Sequence, residues 1–350
     1  MCVPRCALPA GGARLAALNA PAQSLSVRDT PRGGLALAVL NGGIGDRLLE
    51  DRSPLALGMT VRQDGSDVAL EPEEMALTFA TATPRVAVFV HGLIETEDAW
   101  VRPPLSSRRP ARPSYGMLLR DDLGYTPVWV RYNTGRHVSD NGRALSQLLE
   151  ELVAVWPVPI EELALVGHSM GGLVSRSATH VGELDGAGWV VPLRHVVCLG
   201  SPHMGAPLEK AANMAGWGLG RLPETRALAN IVNGRSVGIK DMRYGSCAEA
   251  DWCECDADEL LTDRCGDVPF VDHAAYYYIG ATLFRAERHP VGHVLGDLLV
   301  RFPSASGKGK QRTIPFEVDR GRHLGGLSHF DLLNHPQVYD QLHSWLAAVA

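Results

Sequence analysis

Ser169 is the residue whose setting most suggests chemistry. It lies at the centre of Gly167-His168-Ser169-Met170-Gly171, a Gly-x-Ser-x-Gly pentapeptide. A serine hydroxyl is a weak nucleophile at neutral pH. It attacks a carbonyl carbon only when a base takes its proton and an acid orients that base. A sharp strand-to-helix turn suits this role, because the strained backbone pushes the hydroxyl out beyond the end of the sheet. The two glycines are needed because the strand and helix backbones pass too close there for a Cβ. Five letters of small residues are a weak signal by themselves. Here Leu163-Ala164-Leu165-Val166 precedes them and reads as a buried parallel strand, while Gly172 onward reads as a helix. In that context a nucleophile is favoured over a plain glycine-rich turn. The helix would also aim its first N–H groups at any developing negative charge.

A serine on such a turn is followed along the chain by its acid and then its histidine. Of thirteen histidines, His329 is the best base, in Gly326-Leu327-Ser328-His329-Phe330-Asp331 between the last expected strand and the last helix. His323 and His335 compete; His323 sits in a charged loop, and His335 precedes Pro336 where a helix begins. For the acid, Asp297 in Gly296-Asp297-Leu298-Leu299-Val300 leads, with Asp272 and Asp331 as alternatives. Asp331 is two residues from His329, a spacing that suits a local turn contact. The oxyanion donors should be backbone N–H groups, one from Met170 and one from Leu93 or Ile94 after His91-Gly92. His91 and His168 read more simply as packing and loop-ordering residues than as catalysts.

These side chains need elements to hold them. Apolar runs at 85–90, 126–132, 163–166, 195–199, 276–280 and 313–318 predict strands. Between and after them, helices are expected at 117–123, from 142 to 155 with Asp140 or Asn141 as cap, from 172 to about 181, and at 336–349. Strands spaced by helices describe an α/β protein with an open, mostly parallel sheet covered on both faces. Upstream, residues 1–33 read as a poorly ordered extension, 35–40 as a helix end or strand, and 41–45 as a glycine break. Residues 55–62 and 68–80 read as short edge strands around the turn at 63–66. Residues 102–114, with four Pro and four Arg, form a surface loop. The stretch from 34 to 350 is expected to be one domain, with 206–245 as an amphipathic lid or cap and 246–272 as a cysteine-rich acidic loop.

Composition sets limits on partners. At 350 residues with 45% hydrophobic content, the chain can bury a full core. A net charge of −6 argues against a general nucleic-acid binder. No apolar run approaches the ~18 residues of a membrane helix. Neither His-Glu-x-x-His nor Gly-x-x-x-x-Gly-Lys-Ser/Thr occurs, and Gly216-x-Gly218-x-Gly220 follows no strand. No cofactor and no metal are therefore expected. Cys198 reads as a buried small hydrophobe. Cys247, Cys253, Cys255 and Cys265 cluster, but the Cys253-x-Cys255 spacing does not suit zinc. Two disulfides among these four would indicate an extracytoplasmic setting. The N-terminus, with Arg14 interrupting any apolar stretch, favours no signal peptide and a cytoplasmic setting.

Several motifs together carry a resemblance: His91-Gly92-Leu93, Gly167-His168-Ser169-Met170-Gly171-Gly172, Gly200-Ser201-Pro202-His203-Met204-Gly205-Ala206-Pro207, Gly296-Asp297-Leu298-Leu299-Val300 and Ser328-His329. Over roughly residues 85–349 the chain resembles the α/β-hydrolase superfamily. Within it, the chain is most similar to bacterial lipase-like esterases related to the GPI inositol-deacylase (PGAP1-like) group. That resemblance implies an α/β-hydrolase fold with a helical cap, and Ser169, Asp297 and His329 as a catalytic triad. It implies cleavage of a small-molecule or lipid ester through an acyl-enzyme, with transient contact to a lipid surface. Acyl transfer by the same triad, or an inactive hydrolase fold used for binding, are the competing readings. Two features depart from the pattern: the glycine usual after the acid is Leu298 here, and the cysteine-rich acidic loop has no counterpart in it.

Overall fold

The computed structural model describes residues 30–101, 112–219, 232–253, 256–284, 297–309 and 312–347. Helix α1 (Pro31–Glu50) leads into a hairpin of β1 (Thr60–Gln63) and β2 (Ser66–Val68), then α2 (Pro72–Thr78). Strand β3 (Arg85–Val90) follows, then short α3 (Asp98–Val101), α4 (Tyr115–Leu123) and β4 (Thr126–Arg131). Next come α5 (Val138–Val155), β5 (Glu162–His168), α6 (Met170–Asp185) and β6 (Leu193–Leu199). The last part holds α7 (Pro207–Leu219), α8 (Val237–Asp241), β7 (Ala275–Thr282), α9 (Phe302–Ala305), β8 (Gly321–Gly325) and α10 (Pro336–Ala347).

Eight strands form one sheet in the order β2-β1-β4-β3-β5-β6-β7-β8. From β4 to β8 every neighbouring pair is parallel, and β1 runs antiparallel to both β2 and β4. Side chains alternate across the sheet, so β3 feeds two cores at once. Val86, Val88 and Val90 join α5 and α6 on one face; Ala87 and Phe89 join α4 and α10 on the other. Burial on both faces explains the uninterrupted apolar run Leu163–Val166, each residue of which is wholly buried. The ends of α4 and the C-terminus of α6 are set by ordinary means. Ser114 caps α4 by accepting from Met117 N–H at 3.3 Å, and α4 and α6 stop at Gly124 and Gly186, both left-handed. This arrangement is an α/β-hydrolase fold.

Some local expectations are corrected. Residues 35–40 are helical rather than a strand, and the expected break at 41–45 is a kink inside α1, which is started by a Thr30 cap and Pro31 at its first turn. The glycines serve close approach there. A Cβ on Gly42 would lie 2.2 Å from Ile94 Cγ2 and one on Gly45 2.0 Å from Asn133 Oδ1. The helix only kinks, at Ile44. Residues 72–78 are helical, because Pro72 sits at the first turn with Glu73 and Glu74 behind it. Helix α5 starts at Val138, four residues before the expected 142. The last strand is 321–325, not 313–318. Gly321 pairs with Tyr278, whose ring leaves no room for a Cβ there, while Phe316 instead packs against the rings of Phe270 and Tyr278. The readings of residues 1–29, 102–111 and 220–231 lie outside the described residues.

Helices α5 and α6 meet at Gly142, where an added Cβ would stand 2.4 Å from Ser177 Cβ and 2.9 Å from its backbone carbon. Neither atom is the free end of a flexible chain. We expect Gly142→Ala to destabilise the protein by about 1–3 kcal/mol despite its better helix propensity, as read by urea denaturation.

Candidate active site

Ser169 sits between β5 and α6 with φ 52° and ψ −119°, a conformation that L-residues avoid. Holding it costs on the order of 1–3 kcal/mol, supplied by the surrounding packing. The neighbouring glycines show why the turn is so tight. A Cβ on Gly167 would lie 2.5 Å from the carbonyl carbon of Gly171, and one on Gly171 2.1 Å from the carbonyl oxygen of Val90. The serine N–H donates to Leu199 O at 2.8 Å, tying the turn to the next strand.

His329 begins a short 3-10 turn after β8 and is 2% exposed. Its Nδ1 is 2.8 Å from Asp297 Oδ2, and its backbone N–H donates to Asp297 O at 3.0 Å. Asp297 is 1% exposed, and its other carboxylate oxygen accepts from Leu299 and Val300 N–H at 3.0 and 2.8 Å. With its Nδ1 proton committed to the carboxylate, His329 leaves Nε2 as a lone pair, and Nε2 has no hydrogen-bond partner among the described residues. Burial disfavours the charged ring. The Asp297 carboxylate, helped by Glu95, outweighs burial and holds the His329 pKa above the ordinary imidazole value.

Ser169 and His329 line one cavity of about 360 Å3. Its walls are mostly aliphatic, among them Leu93, Leu208, Met242 and Val300. Its charged groups are Glu95, Glu209 and Arg235, of which the last two form an ion pair at 2.7 Å. The Ile94 N–H donates to Thr134 Oγ1 at 3.3 Å, whereas no hydrogen bond engages the N–H of Leu93 or Met170 among the described residues. That difference separates Leu93 from Ile94, which spacing alone left equivalent.

The alternatives lie elsewhere. His323 is on β8 and bonds Thr282 Oγ1 at 2.9 Å. His335 precedes α10 and receives Gln337 N–H on its Nδ1. Asp331 accepts from the N–H and hydroxyl of Ser328, the local turn contact its spacing suggests. Asp272 is exposed. His91 is buried with its ring on Tyr132 and Nδ1 against Gly92 O. Sequence reasoning passed over Glu95, whose only signal was an acidic residue three positions after Gly92 in a loop otherwise suited to backbone donors. Leu298, in place of the expected glycine, has φ +93° and is 62% exposed, so the turn keeps a glycine-like backbone with a non-glycine residue. In the cysteine cluster, Cys247 and Cys265 are free thiols, Cys247 being buried against Leu173 O, and Cys255 lies outside the described residues. Burial pushes the Cys198 thiol up to about 12, in keeping with an apolar filler.

The sheet order, the strained serine turn and the helices on both faces define a chain of the α/β-hydrolase class. Residues 130–252, which run from the end of β4 through the serine turn to the acidic loop, match the family model described as PGAP1-like alpha/beta domain. No curated protein sequence matches the chain. Among solved structures it is similar to the Bacillus licheniformis lipase BlEst2 in its mature form, with 18% identity, 76% of this chain and 92% of that chain covered, and TM-score 0.46. Of the propeptide form of that lipase it spans 51%. It is also similar to EstA from Clostridium botulinum (13% identity, 76% and 87% covered, TM-score 0.43). A third likeness is to the RedJ thioesterase of Streptomyces coelicolor (20% identity, 77% and 92% covered, TM-score 0.40). Among the described residues, no helix is long and apolar enough to cross a membrane.

The turn at Leu298 yields a direct check. Relief of the positive φ offsets the greater unfolded-state freedom of glycine, so Leu298→Gly should leave stability unchanged or raise it by up to about 1 kcal/mol. A loss of more than about 1 kcal/mol in thermal or urea unfolding would contradict the strained-turn account.

Proposed function

We propose that the protein is a serine hydrolase that cleaves carboxylic esters through an acyl-enzyme. The observation that carries this reading is the His329 ring, held at Nδ1 by Asp297 and left unpartnered at Nε2, on the wall of the cavity that also holds Ser169. In the proposed reaction, Nε2 takes the hydroxyl proton of Ser169 as its oxygen bonds to the ester carbonyl carbon. The oxyanion accepts from the N–H groups of Met170 and Leu93. Each such donor supplies on the order of 3 kcal/mol of transition-state stabilisation. The imidazolium, stabilised by the Asp297 carboxylate, returns the proton to the leaving alkoxide, and water then releases the acid by the same steps in reverse.

The aliphatic walls suit an uncharged acyl chain, since an unpaired charge among them would lose its hydration. We read α7 and α8 as parts of a cap over the cavity. Leu208 and Ala212 on α7 and Ile239 on α8 line it, while Met214 and Trp217 on α7 are exposed by 48% and 41%. These exposed side chains fit transient contact with a lipid surface or with the substrate's apolar end.

Hydrolysis of short p-nitrophenyl esters tests the reading. Wild-type protein should turn them over and label with a fluorophosphonate, and Ser169→Ala should lose more than about 1000-fold in kcat/KM. Equal rates for the two proteins would overturn it, and failure of the fluorophosphonate to label Ser169 would favour a binding module. The pH profile gives a second check. The base is competent only when neutral and its pKa is raised, so kcat/KM should fall with acid at a midpoint above the ordinary imidazole value of about 6.5.

A further inference from the structure

The reaction above uses neither Glu95 nor His168, although both lie against the groups it does use. Glu95 Oε2 accepts the N–H of Gly92 at 2.7 Å and lies 3.0 Å from His168 Nδ1. The other ring nitrogen of His168, Nε2, lies 3.2 Å from the carbonyl oxygen of His329. The His168 ring is wholly buried, with the Trp100 ring at 6.3 Å and the His329 ring at 4.7 Å. Oxygens thus face both ring nitrogens, from Glu95 on one side and from the His329 main chain on the other. Burial opposes the ionisation of Glu95, but His168 and the Gly92 N–H outweigh burial and hold its carboxyl below the usual range.

We propose that Glu95 and His168 are positioning residues for the ester cleavage, a buried carboxylate–histidine pair that fastens three separate chain segments into one site. Glu95 braces the loop carrying Gly92 and Leu93. His168 immediately precedes Ser169, and its far nitrogen holds the main chain of His329. The donor loop, nucleophile and base come from regions 73 and 161 residues apart in sequence. This inference rests on the hydrolase reading, and it assigns the two residues no contact with substrate.

The charge of Glu95 can be separated from its contacts. Both contacts fall on Oε2, so a glutamine can present its amide oxygen to Gly92 and His168 while removing the charge. Other charged or titratable groups facing the pair are His91 and Glu97 from the same loop, Tyr132 after β4, and His329 with Asp297 from the far side. These are unchanged in the variants below.

The test is steady-state kinetics on a neutral p-nitrophenyl ester across pH for wild type, Ser169→Ala, Glu95→Ala and Glu95→Gln, with thermal melting as the folding control. Glu95→Ala should lower kcat on the order of 100-fold with little change in KM, the signature of misplaced reacting groups. Glu95→Gln should recover most of that loss, and its acid limb should move to lower pH because a negative charge has left the vicinity of His329. Wild-type kcat in Glu95→Ala, or a loss confined to KM, would overturn the proposal. If Glu95→Ala does not fold, Glu95→Gln decides by itself: an unmoved acid limb overturns the proposal and a downward shift upholds it. Should wild type and Ser169→Ala be equally active, the hydrolase reading fails. Should they differ while both Glu95 variants match wild type, only the positioning role fails.

Discussion

Everything in this site depends on one steric constraint, the contact of two backbones beside Ser169. Strand β5 and helix α6 cross so closely that Gly167 touches the Gly171–Gly172 peptide, and Gly171 touches Val90 at the end of the neighbouring strand. Only a reversal of direction within one residue fits between them, and that reversal forces the serine to positive φ. The same crowding keeps the serine side chain from folding back into the sheet. The hydrophobic burial of β3, β5 and β6 on both faces is what holds the strain in place, because relaxing the turn would part strands that are wholly buried.

Around the turn the protein places charges where water is scarce, each beside an opposite partner. Asp297 and His329 are both at most 2% exposed, and the carboxylate oxygen facing away from the ring is occupied by two backbone N–H groups. Glu97 accepts from Arg62 Nε at 3.0 Å and from Arg131 Nε at 2.6 Å, so the loop after β3 is tied to β1 and β4. Buried pairs of this kind add little net stability, since desolvation offsets their attraction. Breaking one costs about 3–5 kcal/mol, so they enforce a single arrangement. Here that arrangement is the loop that carries Leu93, Glu95 and Glu97. Helix α1 packs on the same loop through Gly42, so a segment far from the serine in sequence also limits its freedom.

The acid turn illustrates how a backbone requirement can outlast the residue that satisfies it most cheaply. Leu298 takes the positive φ that a glycine would accept without strain, and its side chain points to solvent. The adjacent Asp297 oxygen needs the Leu299 and Val300 N–H groups together, and those two can converge only if the turn bends that way. The hydrogen bonds to a buried carboxylate outweigh the local strain of about 1–2 kcal/mol.

Local patterns in the sequence determined the parts of this protein whose physics is local. A run of buried apolar residues, a pair of glycines about a serine and the strand–helix alternation each follow from contacts within a few residues, so the central strands and the serine turn were legible there. The meaning of the glycines at 42 and 45 was not, because what fills their missing Cβ space is Ile94 and Asn133, remote in the chain. The same holds for residues 313–318, where Phe316 joins an aromatic cluster while the glycine-led segment after them becomes the strand. Spacing could rank His329 and Asp297 but not join them, and it had no means of linking Glu95 to His168. Hydrogen bonds between buried groups on different segments depend on distances of tenths of an ångström, and only the packed tertiary structure sets those.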